Sequence, residues 1–180
     1  GDAETGVSLQ RMVLKLDTGP VVAESPTEPI LANDTSETLG TRLSQLGGQL
    51  IRETLPLLLE GTHIEKAQEE SQATICRMIR KEQGRTSWQE EDAVTMERKL
   101  RAYNPWPGLF CFGPDGKRLQ IIKAKPVVSD LEPGRVGEGL VIGTKNGGLK
   151  VLRIREEGKK ELDAKAFLNG HPGLPGSCLD

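Results

Sequence analysis

The sequence predicts a chain of mixed class, in which an α/β segment is followed by a polar linker and then by a small β-barrel. Leucines recur at spacings of three to four between Leu39 and Leu58, which predicts a long amphipathic helix after two extended stretches. Residues 63–87 are polar and carry no sustained apolar pattern. Beyond residue 108, short apolar runs alternate with glycine-containing turn sequences, as is typical of small barrels.

Composition restricts the class of protein. The 180 residues are 36% hydrophobic and 28% charged, which is the balance of a soluble globular protein, and no apolar run approaches the roughly 20 residues of a membrane span. Three scattered cysteines without a CxxC pair predict reduced thiols and no zinc site. Residues 100–180 carry 13 Lys and Arg against 9 Asp and Glu, so this half either faces a polyanion or is simply solvated.

The first third of the chain is predicted to be two extended stretches and one helix. Residues 7–16 are rich in β-formers and predict a strand, and the prolines in residues 20–30 keep that stretch short or at a sheet edge. Asp34 or Thr35 is placed to cap the long helix, and Gly61 marks its end. This part therefore predicts an α/β arrangement.

The second helix and the barrel have their own local signals. Ser87 with Glu90 forms a capping-box pattern, which predicts a helix over residues 87–103 that ends before an Asn-Pro pair. Hairpin turns are predicted at Asp115-Gly116 and Asn146-Gly147. A short last helix is expected to end at Gly170, and the tail that follows, rich in glycine and proline, is predicted to be loose.

The triplet Asp17-Thr18-Gly19 after an apolar run is the local signature of an aspartic protease. Retroviral-type proteases are nearly all β, and they dimerise so that two such aspartates share one proton. Here a helix of about 25 residues is predicted where that fold has strands, which disfavours a protease. The residue-level alternatives are that Asp17 belongs to another catalytic set, or that it only forms a turn.

A series of further motifs accompanies "LDTG". In order, they are "GDAETGVSL", "DTSETLGTRLSQLG", "KEQGRTSW", "LRAYNPWPG", "IIKA" and "GLVIGTKNGGLKVLRIREEGKKELDAKAFLNG". Together they resemble the methionyl-tRNA formyltransferase family over residues 1 to 170. The sharpest element is "YNPWPG", because relatives that formylate amino-sugar nucleotides share "PWPG" but usually lack the preceding Tyr-Asn.

The resemblance implies an architecture and a reaction. Residues 1–62 would be the C-terminal part of a Rossmann-like catalytic domain, 63–87 a linker, and 88–180 an OB-like domain with a leading helix. The family transfers a formyl group from 10-formyltetrahydrofolate to the amino group of initiator methionyl-tRNA. The resemblance further implies a full-length monomer in the cytoplasm or the mitochondrial matrix, with neither a metal nor a membrane partner.

The resemblance also assigns the active site. Asp17 matches the family's catalytic aspartate, which orients a histidine and helps relay protons. The family's Asn-x-His motif lies upstream of Gly1, and the histidines His63 and His171 lie outside it. The chain is therefore expected to be an incomplete portion that is inactive alone. The expected edge of the active site is formed by Thr5, Gly6, Val7 and Gly19.

Basic residues supply the expected tRNA contacts. They are Arg80, Lys81 and Arg85 in the linker, with Lys123, Lys125, Lys159 and Lys160 on the barrel. Each of them can equally belong to a solvated surface. Trp106 is interpreted as part of a structural junction, with base stacking as the alternative. Two other functions stay open, a stand-alone OB-type tRNA-binding module and a sugar-nucleotide formyltransferase; the latter would keep Asp17 and lose the tRNA partner.

Overall fold

A computed structural model of the chain describes residues 1–180. Residues 2–78 form an N-terminal unit, and residues 79–180 form a C-terminal unit. The division falls inside the polar stretch that the sequence marks as a linker. None of the helices combines the length and the apolar character that a membrane span requires.

The N-terminal unit contains four short strands: β1 (Glu4–Thr5), β2 (Ser8–Gln10), β3 (Val21–Glu24) and β4 (Glu28–Pro29). β1 pairs with β4 and β2 pairs with β3, both antiparallel. The extended stretch predicted over residues 20–30 is present, but it is divided into the two short strands β3 and β4. The strand predicted over residues 7–16 is wrong beyond residue 10, because residues 11–18 form an exposed loop. The predicted Rossmann-like remnant finds no support, since such a domain requires parallel strands and none is present in residues 2–78.

The long helix is present as predicted. α1 spans Ser36–Glu60. Thr35 is its N-cap and accepts a hydrogen bond from the backbone N–H of Thr38, whose side chain completes a capping box. Gly61 ends the helix in the left-handed conformation at φ 71°, which glycine adopts without a steric penalty.

The N-terminal unit leaves many apolar side chains exposed. Leu14 and Leu16 in the loop are fully or largely exposed, and Ile51, Leu55 and Leu59 follow one another at a spacing of four along α1 with about half or more of their surface accessible. Every buried apolar side chain of the molecule lies instead between residues 88 and 179. The N-terminal unit therefore has no apolar core of its own.

The second helix begins later than predicted. α2 spans Ala93–Ala102, and its N-cap is Asp92, whose carboxylate accepts a 2.7 Å hydrogen bond from the N–H of Thr95. The predicted cap at Ser87 is wrong because that residue begins a separate turn, in which its carbonyl accepts a hydrogen bond from the N–H of Glu90. The helix ends before the Asn-Pro pair, as predicted.

Five strands form the sheet of the C-terminal unit: β5 (Leu109–Phe112), β6 (Arg118–Val127), β7 (Val141–Gly143), β8 (Gly148–Glu156) and β9 (Leu162–Asp163). Their order is β5-β6-β8-β7, with β9 paired to β8, and every pair is antiparallel. Both predicted hairpin turns are confirmed. Gly116 and Gly147 lie in them at φ 76° and 74°.

This antiparallel sheet forms a half-barrel, and the chain's last residues join its two edges. Val136 donates a hydrogen bond to the carbonyl of Ser177, and Asp180 and Phe112 exchange two backbone hydrogen bonds of 3.0 and 3.1 Å. The prediction of a loose tail is therefore wrong. Its leucines are buried, and its backbone replaces a missing strand.

The third helix, α3 (Ala164–Asn169), lies between β9 and the tail and ends at Gly170, as predicted. The sheet, α2 and α3 enclose one apolar core. Its largest fully buried members include Trp88, Phe167, Met96, Leu109 and Ile121. This core fixes the backbone from which the basic side chains of β6 and β8 project.

Candidate functional site

The loop that holds Asp17 is fixed by one glutamine. Asp17 is exposed at φ 57°, and its carboxylate accepts a 3.2 Å hydrogen bond from Nε2 of Gln10. Nε2 of Gln68 donates to the backbone carbonyls of Asp17 at 2.9 Å and of Gly19 at 2.6 Å. The backbone of the triplet is thus tied to residue 68, while the carboxylate faces solvent.

The glycine of the triplet has a packing reason to be glycine. A Cβ added at Gly19 would lie 1.7 Å from the carbonyl oxygen of Arg11. The two strands approach closely here, since the N–H of Arg11 donates a 3.0 Å hydrogen bond to the carbonyl of Pro20. The turn interpretation of the triplet therefore has direct structural support, and the catalytic role of Asp17 stays a prediction.

The other residues predicted for the active-site edge lie at the start of the N-terminal unit. Thr5 ends β1, Gly6 is exposed, and the N–H of Val7 donates a 3.0 Å hydrogen bond to Oγ of Ser25. Their positions are those of a turn between two short strands.

The histidine of the N-terminal unit, His63, does not contact Asp17. Nε2 of His63 lies 3.0 Å from a carboxylate oxygen of Glu65, which also binds the guanidinium of Arg11. The hydrogen bond from Arg11 is the largest cause that holds the pKa of Glu65 below its ordinary value. The sequence-based exclusion of His63 from catalysis is consistent with this ion cluster.

The three basic linker residues predicted to contact tRNA differ in whether their charge is already paired with a carboxylate. Arg80 and Lys81 are exposed and form no ion pair. Arg85 lies with its guanidinium 5.2 Å from the centre of the Phe112 ring and forms a 2.7 Å ion pair with Asp180. A phosphate at Arg85 would have to compete with that carboxylate.

The barrel lysines predicted on β6 lie opposite further cations on β8. Lys123 is paired in register with Arg153, and Lys125 with Lys150. Arg118 and Arg155 extend the same outward surface, since each lies next to a buried core residue of its strand. A register irregularity between Ile121 and Ala124 keeps Lys123 and Lys125 on that side as well. We call this surface the basic face. It consists of Arg118, Lys123, Lys125, Lys150, Arg153 and Arg155.

Sequence reasoning missed four of these six cations. A usable signal was present in "RIR", where Arg153 and Arg155 flank a buried isoleucine with the period of two that a strand imposes. Among the six, Arg153 is in an ion pair with Glu161, and none of the other five is ion-paired. The face therefore carries a net positive charge.

The two remaining predicted contacts lie in the turn after β8. Lys160 is exposed, whereas Nζ of Lys159 donates a 2.9 Å hydrogen bond to the buried carboxylate of Glu156. Lys117 and His171 reach the same carboxylate at 3.2 and 3.1 Å. The hydrogen bond from Lys159, with those from Lys117 and His171, outweighs burial and lowers the pKa of Glu156 to about 2. Lys159 therefore has a structural role that the sequence did not reveal.

Trp106 is 58% exposed beside the end of α2, so its ring is accessible. The peptide bonds that precede Pro105 and Pro107 are both cis. No group of three or more His, Cys, Asp or Glu side chains is arranged to hold a metal ion.

Comparison with known proteins gives consistent matches. Residues 78–172 match the family described as formyl transferase, C-terminal domain. Methionyl-tRNA formyltransferases of Treponema pallidum (strain Nichols) and Myxococcus xanthus (strain DK1622) are 37% and 39% identical to it over 97% and 98% of this chain. The chain spans only 56% and 57% of the lengths of these two curated relatives.

A solved structure shows the same fold. HypX from Aquifex aeolicus in complex with tetrahydrofolic acid aligns with a TM-score of 0.66 at 22% identity. The alignment covers 98% of this chain and 32% of that one. At this identity the similarity concerns the fold alone.

Proposed function

The chain belongs to the formyl transferase C-terminal domain family, and from that membership we propose that it is part of a methionyl-tRNA formyltransferase. The proposed reaction transfers the formyl group of 10-formyltetrahydrofolate to the amino group of methionine on initiator tRNA. One observation carries the proposal: the identity of 37–39% to curated enzymes of that name extends through both units of the chain.

In the proposed enzyme, the C-terminal unit binds the tRNA. The in-register cation pairs of the basic face, Lys123 with Arg153 and Lys125 with Lys150, support this role. Contacts of cations with phosphates position an RNA without reading its sequence, and they weaken steeply as salt rises. The half-barrel is taken to be OB-like, as the family resemblance implies.

The proposed role of Asp17 is that of the acidic member of the catalytic set. The amine attacks the formyl carbon, and the tetrahedral oxyanion that forms must be stabilised by preorganised donors. Asp17 would orient the family's histidine and relay a proton. Its accessible carboxylate, on a backbone held by Gln68, supports this role.

We also propose that residues 1–180 alone do not transfer formyl groups. The support is the chain's 56–57% share of its relatives' length, together with the apolar side chains that the N-terminal unit exposes. Exposed apolar patches of this kind mark contact surfaces for further polypeptide. Formyl-methionyl-tRNA synthesis by the purified chain would contradict this proposal.

The experiment that tests the function uses the chain with any coding sequence that precedes Gly1. We expect this protein to formylate initiator methionyl-tRNA and to leave an amino-sugar nucleotide unmodified. Asp17→Asn should lower kcat by about 100-fold with a small change in KM, because proton transfer rather than binding is lost. Asp130→Asn, which neutralises another exposed carboxylate, is the matched control.

Equal kcat values for the two variants would remove Asp17 from the catalytic set and leave it as a turn residue. Formylation of the sugar nucleotide in place of the tRNA would replace the proposed acceptor.

A further inference from the structure

A cavity of about 320 Å³ opens at one end of the basic face, between β6 and the turn after β8. We call it the arginine pocket. The backbone N–H of Glu157 donates a 2.9 Å hydrogen bond to the carbonyl of Arg118, which holds the turn against β6. The pocket is lined by Arg118, Gln120, Arg155, Glu157, Gly158 and Lys159.

The side chain of Arg118 is held in place, but no carboxylate balances its positive charge. Its guanidinium carbon lies 4.0 Å from the centre of the Phe110 ring, in cation–π geometry. Its Nε is buried and has no hydrogen-bond partner, and the side chain forms no ion pair. A buried N–H group is almost always hydrogen-bonded, so this one requires an acceptor.

A hydrogen bond also orients the guanidinium of Arg155 and does not neutralise its charge. Its Nη2 donates a 2.5 Å hydrogen bond to the side-chain oxygen of Gln120, and no carboxylate pairs with it. Gln120 and Arg155 lie opposite each other in the register of β6 and β8. An amide partner fixes the guanidinium and leaves its charge available.

The charge of the lining favours an anion. Two guanidinium groups of the lining form no ion pair, whereas Lys159 is ion-paired with Glu156. Glu157 is the only carboxylate among the lining residues. Arginine is the side chain best suited to phosphate, because its planar fork donates two parallel hydrogen bonds. The lining thus fits one phosphate group rather than a neutral or cationic ligand.

From this geometry we infer that the arginine pocket seats a single phosphate of an RNA backbone that continues along the basic face. The inference rests on the proposed function for its choice of RNA. The pocket adjoins the cation pairs of β6 and β8 on the same outward surface, so a phosphate bound there belongs to a longer polyanion. Arg118 and Arg155 bind the same phosphate.

The test is the binding of unmodified initiator tRNA to the full 180-residue chain, measured by fluorescence anisotropy over a series of salt concentrations. We expect Arg118→Gln and Arg155→Gln each to weaken binding by about tenfold at low salt. Each should also reduce the slope of log K against log[salt] by about one. Lys165→Gln, which removes an exposed cation outside the basic face, should stay within about twofold of the parent.

A double-mutant cycle tests the shared phosphate. If both arginines hold one phosphate, the double variant loses clearly less than the product of the two single losses, because each single change already disrupts the contact. Because Arg118 packs on an aromatic ring, thermal melts accompany every variant. Arg155→Gln is at an exposed position and keeps the test decisive if Arg118→Gln fails to fold.

Inorganic phosphate at matched ionic strength is the second probe, followed through the ¹⁵N–¹H signal of the Arg118 Nε. Movement of that signal with tRNA, or with tRNA and phosphate, supports the inference. Movement with phosphate alone overturns the assignment to RNA. If tRNA binds but both arginine variants bind it as tightly as Lys165→Gln does, the inference of a phosphate site in the pocket is wrong, and the proposal of tRNA binding is unaffected. If the chain does not bind tRNA, the proposed tRNA partner fails as well.

Discussion

Replacing Glu156 by glutamine tests what fixes α3 and the tail on the sheet. Glu156 ends β8 with its side chain 3% exposed, and its carboxylate receives Lys117 at 3.2 Å, Lys159 at 2.9 Å and His171 at 3.1 Å. His171 also stacks on Phe167 of α3 at 4.2 Å and lies 2.8 Å from its carbonyl. Glutamine keeps the shape and one carbonyl oxygen but removes the negative charge that faces Lys117 and Lys159, together with one of the two acceptor oxygens.

The expected loss is about 2 kcal/mol in the free energy of unfolding. Breaking a fully buried ion pair costs about 3–5 kcal/mol because the remaining charge stays buried. Here the partners' side chains are 30–58% exposed, so water solvates them after the substitution. The loss then approaches that of three ordinary hydrogen bonds at about 1 kcal/mol each, less the one that the amide retains. For a unit of this size, that lowers Tm by about 10 °C.

The pH dependence gives the sharper test. Because the pKa of Glu156 falls from its ordinary 4.5 to about 2 on folding, its contribution is fully present above pH 4.5. It is lost as pH falls from 4.5 towards 2, where the carboxylate becomes protonated in the folded protein. The Tm gap between the parent and Glu156→Gln should therefore be constant near neutral pH and close in acid. Thermal melts followed by circular dichroism from pH 2 to pH 8 measure it.

Glu157→Gln is the matched control, since the adjacent carboxylate is exposed and forms no ion pair. Its Tm should stay close to that of the parent, as for most surface substitutions. Two results would refute the reasoning: a Glu156→Gln melt that coincides with that of Glu157→Gln at neutral pH, or a Tm gap that persists unchanged at pH 2.

Two further predictions concern the N-terminal unit. Arg42 donates 2.7 and 2.8 Å hydrogen bonds to the two carboxylate oxygens of buried Asp34 and thereby lowers the pKa of that carboxyl. Arg42→Ala should therefore raise this pKa towards 3.8. It should also reduce the protection of backbone amides against hydrogen exchange at the start of α1. Unchanged protection and an unchanged carboxyl titration by NMR would contradict it. Gly19→Ala should abolish the exchange protection of the amides between β2 and β3, because its Cβ would overlap a backbone oxygen. Gly40→Ala, in open space on α1, should instead stabilise the helix by about 1 kcal/mol. Equal exchange profiles for the two alanine variants would exclude the overlap.

Local chemistry explains what the sequence could predict. Thr35 and Gly61 bound α1 because a capping side chain and a left-handed glycine act within one helical turn. The Asp115-Gly116 and Asn146-Gly147 turns depend in the same way on the conformational freedom of their own glycines. Each of these signals is complete within four or five residues, so no distant contact was needed to interpret it.

The wrong predictions depended on contacts that are distant in sequence. The tail has the glycine and proline content of a loose segment, yet Val136 supplies the hydrogen-bond partner of Ser177 from 41 positions away. Leu14 and Leu16 alternate as a strand would, but no neighbouring strand pairs with them. Alternation shows that a segment suits a sheet, and only the remainder of the fold decides whether a pairing partner exists.

The basic residues show the same limit. The sequence suggested Lys123, Lys125 and Lys159 alike as phosphate contacts. In the structure Lys123 and Lys125 are exposed, whereas Lys159 is ion-paired with a buried carboxylate. Sequence reasoning passed over Arg118 and Arg155, which the register of β6 and β8 brings to one cavity. A residue's availability for a ligand depends on what else its charge contacts, which linear sequence does not contain.

The two units bear differently on the proposed enzyme. The C-terminal unit buries an apolar core from Trp88 to Leu179, and the strands that carry the basic face contribute to that core. The N-terminal unit buries only small or polar residues and exposes Leu14, Leu16 and Leu59. Asp17 lies in the unit that lacks a core. A loss of catalysis in its variants therefore has to be separated from a loss of local order, and the exchange profile defined by Gly19→Ala makes that separation.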